Sequence, residues 1–121
     1  MASQELISKI QDAGRRHAEQ TRRYTIPQLE VEIELRKVTL AQTQELWDGF
    51  DPQNSSLLDY NLRILSVTAY DPTSGERIFR DYEHCCEALE GVELWVVNEV
   101  ASAASDFAGY SASVLNDSGN S

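Results

Sequence analysis

Four consecutive residues, His84-Cys85-Cys86-Glu87, form the densest group of side chains in this chain that could bind a metal or act as a nucleophile. The surrounding pattern predicts a helix, in which successive side chains point about 100° apart. Such neighbours cannot all face one zinc ion, and His17 is the only other histidine. A Cys-His nucleophile meets the same geometric problem. We therefore predict no catalytic residues, no metal and no cofactor, and thiols that are reduced and at least half-buried.

Three glutamates, Glu30, Glu32 and Glu34, are the second candidate metal site. They alternate strictly with apolar residues, which predicts a half-buried strand with a charged outer face. The apolar side of this strand contains Leu29, Val31, Ile33 and Leu35. In extended geometry the glutamates are roughly 7 Å apart, too far to converge on one ion. A solvated strand face is the favoured interpretation.

The 121-residue chain has a formal net charge of -10, and that charge is unevenly distributed. Residues 1–37 contain seven Lys and Arg against six Asp and Glu, whereas residues 38–121 contain three against fourteen. The acidic part repels phosphate backbones, so we predict no binding to nucleic acid. The basic pairs Arg15-Arg16 and Arg22-Arg23 are interspersed with acids, which favours a solvated helix face over a nucleic-acid arm.

The hydropathy pattern lacks an apolar run of about 18 residues, so no membrane span is predicted. The chain begins Met1-Ala2-Ser3-Gln4-Glu5, without the basic and then apolar pattern of a secretory signal. We therefore expect a cytoplasmic protein that does not bind membranes.

Three regions are predicted. Residues 1–23 form an N-terminal helical arm, with a helix from a Ser3 N-cap to about Thr21. One thin helical stripe contains Leu6, Ile10, Ala13 and His17. Such a helix is marginal alone and needs a surface to pack on. Residues 24–108 form the globular domain, and residues 109–121, rich in Ser, Gly and Asn, form a flexible polar tail.

Helix starts are marked by capping residues. Thr39 with Gln42, and Ser56 with Asp59, have capping-box spacing, and Asp81 precedes a short helix.

The predicted fold class is mainly α with a minor β element, an α+β domain with an N-terminal strand or arm followed by four to five helices. Residues 62–80 are ambiguous, because their β-branched and aromatic content also fits a hairpin; the capped start favours a helix.

The order of elements from residue 24 to residue 105 resembles that of the small tail assembly chaperones of tailed bacteriophages. The resemblance rests on an apolar helix, a turn, an isolated aromatic, an acidic helix start, a short helix ending in Leu and a last helix containing Asn. The matching positions are Asp71, Gly75, Phe79, Asp81, Leu89 and Asn98. The paired cysteines and the two tryptophans, Trp47 and Trp95, depart from that pattern.

The resemblance implies a non-enzymatic role. Such chaperones coat the long helical tape measure protein before the tail tube polymerises around it, keep it soluble in the host cytoplasm, and are absent from the mature virion. We expect the tape measure protein as partner, with the tail tube protein and self-association as further candidates. The alternative is a structural tail or head-tail joining protein that is retained in the virion.

The last predicted helix, from Val92 to about Phe107, is apolar on two faces. A helix of this kind is either central or half-covered by a partner. Under the chaperone hypothesis, the predicted partner-binding surface is one face of this helix together with the N-terminal arm. Its residues are Leu6, Ile10, Trp95, Val96, Val100 and Phe107.

Overall fold

A computed structural model describes residues 3–109. Its elements are, in chain order, α1 (Gln4–Ala18), β1 (Thr21–Ile26), β2 (Val31–Arg36), a 3-10 turn (Leu40–Gln42), α2 (Thr43–Trp47), α3 (Leu57–Thr68), β3 (Ala69–Tyr70), α4 (Tyr82–Ala88) and α5 (Leu94–Ala108). The strands form one antiparallel sheet in the order β1-β2-β3. The predicted α+β class, mainly helical with a minor sheet, is confirmed.

Strands β1 and β2 form a hairpin closed by a turn at residues 27–30. In β2, Ile33 and Leu35 are buried, while Glu32 faces outwards and pairs with Arg23 of β1 at 3.1 Å. The predicted alternation is therefore correct. The strand begins at Val31, two residues later than the pattern suggested, because the turn occupies the preceding residues.

Strand β1 was not predicted. The helix expected to reach about Thr21 ends at Ala18, and Thr21 already pairs with Arg36 of β2. The arm is therefore shorter than residues 1–23. Strand β1 lies at the edge of the sheet, where its residues are mostly exposed and need not alternate between apolar and polar side chains. The sequence around Arg22 and Arg23 therefore lacks the alternation by which a strand is recognised.

Helix α3 is the centre of the fold. Nine consecutive residues, 61 to 69, are buried, and the helix packs against α4, α5 and β2. One side of α3 joins the larger core cluster with the sheet and α5, and the other side packs on α2 through a smaller cluster. These smaller-cluster residues are Leu46, Ile64 and Val67.

The predicted caps are present. Ser3 Oγ accepts from the N–H of Leu6, and Asp81 accepts from the N–H of His84. Ser56 and Asp59 form the expected reciprocal capping box, with distances of 3.1 and 3.2 Å. The Ser56 N–H, together with the Tyr82 hydroxyl, holds the pKa of the Asp59 carboxyl below its usual value.

Both interpretations of residues 62–80 describe part of the structure. The helix continues to Thr68, and Ala69 and Tyr70 then pair with β2 as a short strand. A turn follows, closed by a 2.8 Å hydrogen bond from the Asp71 N–H to the Glu76 carbonyl. The predicted polar tail, residues 109–121, lies outside the described residues except for Gly109, which ends α5.

Candidate partner-binding groove

An apolar groove opens between the β1–β2 hairpin and the junction of α4 and α5. Thirteen described residues line it, and all are apolar. The hairpin contributes Ile26, Leu29 and Val31, and the helical side contributes among others Val92 and Val96. The groove encloses about 170 Å³. A space without polar groups gives water no hydrogen-bond partners, so apolar side chains are its favoured occupants.

The mouth of this groove is an exposed apolar patch. Leu29 and Val31 are 41% and 46% exposed. A shallower depression beside it shares Leu29, Val92 and Val96 with the groove and adds Trp95, which is 50% exposed. Exposed apolar surface that is continuous with a groove is typical of a protein-binding site.

Acidic side chains accompany this apolar surface. Glu30, Glu90 and Glu93 are neighbours in sequence of groove or depression residues, and each is exposed. None of the three forms an ion pair within residues 3–109. Glu93 accepts a hydrogen bond from the Trp95 indole N–H, which orients the ring at the edge of the depression. The surface therefore favours an apolar occupant with basic flanks.

Two predicted partner-binding residues lie in the core. Val96 is 3% exposed and Val100 7% exposed, and both line the floor of the groove. They are buried because α5 packs against both α3 and β2, so they do not form an exposed face; their predicted role in binding a partner stays a prediction. Trp95, predicted with them, is at the exposed edge.

The remaining predicted residues are elsewhere. Phe107 is half-buried near the end of α5, about 16 Å along the helix from Val96. Lys37 donates to its carbonyl at 2.8 Å and lies 4.1 Å above its ring centre. Leu6 and Ile10 of α1 are 50% and 62% exposed, and neither lines the groove.

Sequence reasoning missed Leu29 and Val31 as site residues. The alternation with glutamates assigned Val31 to the inward side of the hairpin, whereas Leu29 lines the groove from the turn that precedes β2. The helical layer, however, ends before it covers them, so they form the mouth of the groove. Alternation with a period of two shows which face of a strand is apolar. It does not show how far along that strand the covering helices extend.

The two cysteines differ in environment. The Cys85 side chain is fully buried, with its Sγ 3.9 Å from the Leu62 carbonyl oxygen, and burial raises the pKa of its thiol to about 12. Cys86 is only partly buried, and both cysteines are unbridged. Because thiolate is the reactive form, Cys85 is protected both by burial and by its raised pKa.

We expect a thiol reagent such as DTNB to modify one cysteine in the native protein and two in denaturant. The native reaction should disappear in Cys86→Ser and persist in Cys85→Ser, provided that each variant has the far-ultraviolet spectrum of the folded protein. Equal native rates for both thiols would show that α4 does not hold Cys85 in the core.

Residues 3–109 contain no group of three or more His, Cys, Asp or Glu side chains placed to hold a metal ion. No helix in the same part of the chain has both the length and the apolar content needed to cross a membrane.

A scan against protein-family models, a search of curated proteins and a search of solved structures each found no match.

Proposed function

We propose that this protein is a tail assembly chaperone of tailed bacteriophages, which binds the tape measure protein and keeps it soluble in the host cytoplasm during tail morphogenesis. The observation that supports this function best is the open apolar groove on an acidic domain. The resemblance of the order of elements to such chaperones suggests the partner class. The groove gives a surface on which such a partner would bind.

The lining of the groove suits apolar side chains presented by an amphipathic helix. Helices bind apolar grooves through side chains at i, i+3, i+4 and i+7. In this protein the hairpin side of the groove presents Leu29 and Val31, and the opposite side presents Val92 and Trp95. Covering these side chains removes apolar surface from water on both partners, at about 25 cal/mol per Å².

A solubilising protein must also keep its complexes apart from one another, and a high net charge can do this. Residues 38–121 have a net charge of -11, from three basic and fourteen acidic side chains. A long helical client covered by several such domains would acquire a strongly negative surface. Mutual repulsion between coated clients would then oppose their aggregation.

Co-expression with a candidate tape measure protein tests the function. We expect that protein to be soluble only when this chain is present, to co-purify with it, and to bring none of this chain into mature particles. A partner that is equally soluble alone would contradict the chaperone function. Stoichiometric recovery of this chain from purified particles would instead support a structural tail or head-tail joining protein.

A further inference from the structure

We draw no further inference here: the strongest candidate, the exposed apolar face of helix α1 that contains Leu6, Ile7 and Ile10, supports none, because nothing within residues 3–109 shows what covers it.

Discussion

Val100→Glu is expected to unfold the domain. Val100 is 7% exposed and packs in the larger core cluster between the sheet and α3. A carboxylate there would have no basic partner and would lose its hydration, at a cost of several kcal/mol. We expect a loss of at least about 4 kcal/mol in the free energy of unfolding, a large part of the 5–15 kcal/mol typical of small domains.

Urea denaturation followed by circular dichroism measures this loss. Asn98→Glu is the matched control, because Asn98 is on the same helix, two residues away, and is exposed. Its free energy of unfolding should stay within about 0.5 kcal/mol of the wild type. If Val100→Glu unfolded at the same urea concentration as Asn98→Glu, Val100 would belong to an exposed partner surface, as the sequence alone had suggested.

Arg63→Ala has the second largest expected effect. Arg63 is 8% exposed in the middle of α3, and its Nη1 donates to the carbonyls of Asp48 at 2.6 Å and Leu46 at 3.3 Å. Its guanidinium lies 4.5 Å from the centre of the Tyr82 ring and 5.4 Å from that of Phe50. This one side chain therefore fastens the end of α2 and the start of α4 to the central helix.

Truncation to alanine leaves two carbonyls without their donor and opens a cavity between the rings. We expect a loss of about 3 kcal/mol and a fall in Tm of more than about 10 °C. Arg63→Lys should be intermediate, because lysine retains a donor and lacks the planar guanidinium that packs between the rings. Arg80→Ala, at an exposed position, is the control. Equal Tm values for Arg63→Ala and Arg80→Ala would contradict this structural role.

Local features of the fold could be predicted from the sequence because their causes are local. Each correctly predicted cap, at Ser3, Ser56 and Asp81, joins atoms only three residues apart. The burial of Ile33 and Leu35 follows from alternation within six residues. These short-range patterns were sufficient to give the α+β class.

Long-range features could not be predicted in the same way. The burial of Val96 and Val100 depends on α5 having neighbours on two sides, and the helix pattern alone allowed either a core or a partner on the second side. Arg63, within an apolar segment, gave no sign of its distant carbonyl acceptors. The groove mouth at Leu29 and Val31 likewise depends on where other elements end.

We propose that the apolar groove binds the tape measure protein and keeps it soluble. The most direct measurement is the soluble fraction of that protein when it is co-expressed with the wild type, with Leu29→Asp/Val31→Asp, or with Leu40→Asp, a control at an exposed position that does not line the groove. We expect solubility to be high with the wild type and the control and to be lost with the groove variant, provided that circular dichroism shows all three chains to be folded. Full solubilisation by the folded groove variant, or none by the wild type, would contradict the account.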